Sequence, residues 1–179
     1  MEWVFDGGRP SLDLVNTLRD RYADGVELLT SPAALAEWLE LAGLTAGRAR
    51  VTEDQLRTAR WLREAVNRLL TASPERKDVE LVNEAVEAPV PAARLQLSGG
   101  ELLRAVPAPR DPVAAALAVI AADAVDLVTG PVDVRVCAAD DCGLRFADAS
   151  PRRTRQWCSM ARCGNRAKAR AHYARSRGE

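Results

Sequence analysis

The sequence predicts an α+β chain that is mostly α. A helical N-terminal domain with one small β-hairpin, residues 1–131, leads into a small cysteine-bearing module, residues 132–179. Three observations carry this. Apolar residues recur at spacings of three and four through a series of capped segments between Ser11 and Val128. A Ser98-Gly99-Gly100-Glu101 turn separates two short apolar stretches. All the cysteines, Cys137, Cys142, Cys158 and Cys163, stand in the last quarter as two equally spaced pairs, C-x4-C-x15-C-x4-C.

Residues 2–6 read as a short strand or extended lead-in closed by Gly7-Gly8. Ser11 is placed to cap a helix reaching about Tyr22, with Leu12, Val15, Leu18 and Tyr22 on one face. After a turn at Gly25 comes a short apolar segment, Val26–Leu29. Ser31-Pro32 starts the next helix, a cap followed by proline at the first helical position, and Gly43 stops it. Its apolar face is Leu35, Trp38, Leu39 and Ala42. Thr52 and Gln55 fit a capping box at the head of the longest expected helix, which Leu56, Ala59, Leu62 or Arg63, Val66 and Leu69 or Leu70 continue to about Ala72. Ser73-Pro74 restarts the pattern, and Val79, Val82 and Val86 mark a helix to about Glu87, making a helical hairpin. Pro89 and Pro91 end it. Arg94–Leu97 and Leu102–Val106 are the strands of the β-hairpin. Asp111-Pro112 opens an alanine-rich helix to about Val128, closed by Gly130-Pro131. Val132, Val134 and Val136 alternate as a strand into Cys137, and little more than that strand is expected to join the two parts.

The formal net charge is zero, but residues 137–179 hold ten Lys and Arg against four acids, so the module is +6 and the rest of the chain −6. Between Pro151 and Gly178 there are nine basic residues and no acid, which points to an anionic partner. The opening residues lack the basic and apolar regions of an export signal. The most apolar stretch, residues 113–122, is short and bounded by Asp123 and Asp126, so no membrane partner is expected. A cytoplasmic setting follows, where thiols stay reduced and paired cysteines hold metal more often than each other.

Segments near 40 residues seldom fold without a metal or disulfides. Four thiols in two close pairs suit one structural Zn²⁺, with no position left for substrate. An iron–sulfur cluster uses the same ligands, but nothing else in the chain speaks of redox traffic. Gly143 is suited to a positive φ after the first pair, and Cys163 is expected in the first turn of a C-terminal helix that favours thiolate. The resulting module is treble-clef-like or zinc-ribbon-like. Arg162, Arg166, Arg170, Tyr173 and Arg177 follow helical spacing as a basic stripe, and Arg152, Arg153 and Arg155 form a second cluster. With Asn165, Lys168 and Arg175 these are the candidate nucleic-acid contacts. The same arginines have a second role open to them, neutralising a four-thiolate zinc site.

The run R-x-W-C-S-M-x-x-C-G-N-R-x-K-x-R, Arg155 to Arg170, resembles the signature of bacterial CGNR zinc-finger proteins. Phe146-Ala147-Asp148 with Ser150 also fits that pattern. Leu12-Asp13-Leu14-Val15-Asn16-Thr17 and Leu28-Leu29-Thr30-Ser31-Pro32 are similar to the ABATE domain that usually precedes such fingers. The resemblance implies a stress-induced transcription regulator that binds DNA through the finger. The sequence departs from the family pattern at Leu144 (commonly tryptophan), Arg145 (commonly aliphatic) and Gln156 (commonly arginine), leaving the cysteines untouched.

The expected function is therefore zinc-dependent binding of double-stranded DNA, with the acidic body sensing a small-molecule or protein signal. RNA binding through Trp157 and Tyr173 is one alternative, and a protein-docking finger without nucleic acid is another. Asp13 and Asn16, three apart on one helix, are candidates for lining a ligand pocket. Catalysis is not expected: His172 is the lone histidine, and no nucleophile–base set or phosphate loop is present. A homodimer suits a regulator, although no heptad repeat declares an interface.

Overall fold

The computed structural model describes residues 3–21, 24–71 and 74–176, without the side chains of residues 171, 172, 174 and 175. The elements follow in the order α1 (Pro10–Val15), β1 (Leu18–Arg19), β2 (Val26–Glu27), α2 (Pro32–Leu41), α3 (Glu53–Leu69), α4 (Arg76–Val86), β3 (Arg94–Ser98), β4 (Glu101–Ala105), α5 (Pro112–Thr129), β5 (Asp133–Val136) and β6 (Arg145–Asp148). A π-helical turn, Met160–Gly164, then opens α6 (Asn165–Ser176). Strands pair only in antiparallel twos among the described residues: β1 with β2, β3 with β4, β5 with β6.

The helical body follows its capping chemistry. Ser31 accepts from the Ala34 N–H at 3.2 Å, and Thr52 and Gln55 form the reciprocal capping box. Asp111 accepts from the N–H groups of Val113 and Ala114 at the head of α5. At 18 residues α5 is longer than α3 at 17, so the longest helix is the alanine-rich one. By length and composition α5 is apolar enough to cross a membrane, yet nine of its residues are buried in the protein. Its small side chains let it pack closely against α1, α3 and α4. Leu14, Val15, Trp38, Leu62, Val66 and Ile120 are all under 2 % exposed in this core. Arg63 also faces inward, 4 % exposed, with bidentate 2.7 Å bonds to Glu27 and a 2.8 Å bond to Glu64. Burial alone would disfavour its charge, but the two carboxylates raise its pKa; against their own burial, Arg63 lowers that of Glu27, and Arg21 followed by Arg63 lowers that of Glu64.

The first helix is shorter than its apolar spacing predicts. It begins at Pro10 with Arg9 as cap and ends at Val15, while Ser11 donates to Asp123 and caps nothing. The hydroxyl of Thr17 turns back to the Leu14 carbonyl, and Leu18 pairs with Glu27, so the backbone past Val15 is spent on a sheet. The expected ends at Tyr22 and Ala72 and the restart at Ser73 lie outside the described residues. Residues 3–6 have no regular secondary structure and pair with no strand among the described residues. A strand that the valine alternation did not reveal, β6, pairs with β5 in the register Val136↔Arg145.

The two parts of the chain are packed together, not merely strung on β5. Trp3 donates to Glu37 at 3.0 Å and Phe5 lies 6.1 Å from the Trp38 ring, both on the body. Val4, between them, is 7 % exposed in the cluster of Phe146 and the cysteines. Successive residues of the lead-in thus touch body and module in turn and stitch the two side by side. Leu12 and Leu127 meet Ala147 in a further cluster, and the Ala147 N–H donates to the Gly7 carbonyl at 2.8 Å.

Candidate metal centre

The β5–β6 hairpin builds the first half of the site. The Cys137 N–H donates to Leu144 O at 2.8 Å and the Cys142 N–H to Ala139 O at 3.1 Å, closing a knuckle between the strands. Gly143 leaves this knuckle at φ 62°, a conformation that a β-carbon would strain. The second half comes from residues 158–164. Ser159 accepts the N–H groups of both Cys163 (2.9 Å) and Gly164 (3.0 Å) on its carbonyl. This wider turn puts Cys163 two residues ahead of Asn165, in the π-helical turn that opens α6. A β-carbon on Gly164 would lie 2.6 Å from Met160 Sδ and 2.7 Å from Trp157 Cδ1, so only glycine fits there.

The four Sγ atoms lie within 4.8 Å of one another. Cys142 and Cys158 are 3.6 Å apart and Cys158 and Cys163 3.7 Å, far beyond the ~2.0 Å of a disulfide. Ligands ~2.3 Å from one tetrahedral ion stand about 3.8 Å from each other, so the cluster has the dimensions of a four-thiolate metal site. The Cys158 N–H points at Cys137 Sγ (3.5 Å) and Arg166 Nη2 at Cys163 Sγ (3.6 Å), donors that suit thiolate acceptors. Taken by themselves the thiols titrate against one another. A hydrogen bond from Cys158 pulls Cys142 down to about 5, the same bond pushes Cys158 up, and burial pushes Cys163 up to about 11. A divalent cation is what would hold all four as thiolates together.

Around this cluster most of the candidate arginines have partners inside the chain. Arg162 pairs with Asp6 of the lead-in. Arg166 (2.9 Å) and Arg170 (2.8 Å) share Asp141 in the knuckle, and their charges hold that carboxyl below its usual range, Arg170 foremost. Arg155 lies 5.0 Å over the Phe146 ring and donates to the carbonyls of Trp157 and Cys158. Arg153 is 3.8 Å from Asp133, and its carbonyl accepts from Arg135 at 2.7 Å. The spacing-based stripe is therefore divided: Arg162 turns to the body while Arg166 and Arg170 turn to the knuckle. Arg152, Asn165 and Lys168 are exposed, with no ion pair to Arg152 or Lys168 among the described residues. The Arg175 side chain and Arg177 lie outside them.

Three acids organise the module; Asp6 and Asp141 carry no sequence signal of their own, and Asp148 belongs to the Phe146-Ala147-Asp148 pattern. Asp6 and Asp141 are the partners just named. Asp148, 1 % exposed, accepts from the hydroxyl (2.6 Å) and N–H (3.0 Å) of Ser150 and from the Arg155 N–H (2.8 Å). The Ser150 hydroxyl does most to keep its carboxyl ionised. Leu144, at the position where related fingers commonly have tryptophan, fills the finger core at 5 % exposure. Gln156 is exposed and lends its carbonyl to the Ala138 N–H.

Asp13 and Asn16 are occupied by the protein. Asn16 Nδ2 donates to Arg145 O (2.8 Å) and its Oδ1 accepts the Arg145 N–H (2.9 Å), as a neighbouring strand would. Arg145 also reaches Asn67 on α3 at 3.1 Å. Asp13 accepts the Gly7 N–H at 2.8 Å. Burial, with Asp6 and Asp123 nearby, outweighs that bond and raises its pKa to about 7.

Two family models match the chain. The model of the ABATE family, described as "putative stress-induced transcription regulator", matches residues 8–131, and that of the CGNR zinc finger matches residues 134–176. Both are regulatory or zinc-finger families, not catalytic ones. No curated protein matches the chain.

Proposed function

The chain belongs to the ABATE family and carries a CGNR zinc finger at its C-terminal end, and on that footing we propose that it is a cytoplasmic transcription regulator binding double-stranded DNA through a zinc-stabilised module. Cys137, Cys142, Cys158 and Cys163 would hold one Zn²⁺, whose part is structural because four thiolates leave no position for a substrate. Val4, Phe146 and Leu144 then close the apolar side of the site.

The observation that carries the DNA reading is the acid-free run from Pro151 to Gly178, in which Arg152 and Lys168 are exposed and make no ion pair among the described residues. Arg153 and Arg170 are still 52 % and 55 % exposed despite their partners. Side chains of this kind contact phosphates, and Asn165 stands at the start of α6 beside them. Since Arg162 and Arg155 are spent internally, about three or four phosphate contacts remain, giving a slope of about −3 to −4 in log affinity against log salt. Titrating duplex DNA at several salt concentrations checks this; binding that ignores salt, or none at low salt, rejects it. The RNA alternative is weaker because Trp157 is partly buried against Gly164, and Tyr173, 68 % exposed, is the one fully exposed Phe, Tyr or Trp among the module's described residues. Competition between duplex DNA and single-stranded RNA separates the two.

A further inference from the structure

The β3–β4 hairpin is an anomaly for a chain of this size. Leu95, Leu97 and Leu102 are 78 %, 70 % and 69 % exposed, and none of residues 94–105 belongs to a hydrophobic cluster. The register Leu95↔Arg104 and Leu97↔Leu102 puts all three leucines on one face. A two-stranded ribbon standing alone is marginally stable in water. An apolar face of this kind calls for a cover.

The same chain carries a matching hollow. A groove of about 600 Å³ lies between the loop after α2, the start of α5 and the hairpin's own stem. Its walls include Leu44, Val90, Val106, Ala115 and Val119. Val90 and Pro91 lead into β3, and Val106 and Pro107 lead out of β4, so the stem of the arm is one wall of the groove. An arm rooted in the rim cannot fold back to fill the hollow beneath it, and its leucines stay bare. The groove's basic rim residue, Arg48, faces Glu37 at 3.8 Å, which moderates its charge toward an apolar guest.

We propose that a second copy of this chain covers the arm: two protomers exchange their β3–β4 hairpins about a two-fold axis, each seating Leu95, Leu97 and Leu102 in the other's groove. An isologous contact needs one surface that complements itself, and knob and hollow side by side on one chain provide it. The area is sufficient. The arm exposes on the order of 500 Å² of apolar surface, at the upper end for a monomer. With the groove added, each protomer offers roughly 700 Å², within the range a specific interface takes from each partner. No part of this rests on metal or nucleic acid.

Sedimentation equilibrium of the full chain, without DNA, tests it. The expected mass is twice 19.4 kDa at concentrations near 100 µM. Leu95→Asp with Leu97→Asp, and separately Val119→Glu in the groove, should each weaken association at least 100-fold. Far-UV circular dichroism checks that both variants keep the helices, which the arm does not support. An equimolar mixture of the two variants retains one intact arm and one intact groove and should recover part of the dimer. Exchange of the 94–105 amides should slow as protein concentration rises. A wild-type chain that stays monomeric at 100 µM with unprotected arm amides overturns the proposal and assigns the arm to another partner. A dimer that survives either variant overturns it too.

Discussion

The body and the finger differ in what holds them. The body's core is large and aliphatic, with Leu14, Leu35, Trp38, Leu62, Val66 and Ile120 essentially inaccessible. Among the described residues the cluster at the finger's centre holds six buried apolar residues, of which three are cysteines and one, Val4, is lent by the lead-in. Only Leu144 and Phe146 remain as its own hydrocarbon core. A body of this kind folds by removing apolar area from water, whereas the finger depends on whatever binds its thiols.

The largest expected effect separates the two regions. Chelation, or Cys163→Ser, should abolish the finger's fold, because structural zinc contributes on the order of 10 kcal/mol to such modules. The body's helices should persist. Amide NMR dispersion read separately for residues 137–165 and for α3 checks this, and a finger indifferent to chelator would break the contrast. In the body, Leu62→Ala should cost about 2–5 kcal/mol in a urea melt while leaving metal stoichiometry at one per chain.

Stability should also respond to pH at the seam. The folded pKa of Asp13, about 7, lies above its unfolded value of 3.8, so its contribution is fully present below pH 3.8 and is lost as pH rises toward 7. Asp13→Asn, which keeps an acceptor for the Gly7 N–H, should remove on the order of 2–4 kcal/mol of that pH dependence. Unfolding free energies at pH 5 and pH 7.5 measure it. Asp78, Glu27 and Glu64, with lowered pKa values, work in the opposite sense and lose their contribution in acid. Asn16→Ala should remove both hydrogen bonds to the Arg145 backbone at a cost of about 1–3 kcal/mol and split one denaturation transition into two. The smallest effect is on binding: Lys168→Ala should lower the magnitude of the salt slope by about 0.9 without altering the melt.

Much of the body was legible because its signals are local. Ser31-Pro32, Thr52 with Gln55, Asp111-Pro112 and the Gly99–Gly100 turn each act within a few residues, and all are where the sequence places them. The overlong first helix shows the limit. Leu12, Val15 and Leu18 have helical spacing, but Thr17 and Leu18 are claimed by β2. The basic stripe is divided by the same kind of distant contact. Its spacing is regular, while its partners, Asp6 and Asp141, lie 156 and 29 residues away from Arg162 and Arg170.

Composition and spacing were enough to establish four thiols suited to one metal, a helical body, and a chain divided into acidic and basic parts. Tertiary structure decided how those parts meet. It committed Arg162 and Arg155 to the protein itself, turned Asn16 into a substitute strand for β6, and left three leucines of the hairpin uncovered. The physical reason is range. Caps, turns and paired cysteines are satisfied by near neighbours, whereas the partner of a charge or an amide is whichever group the fold brings within about 3 Å.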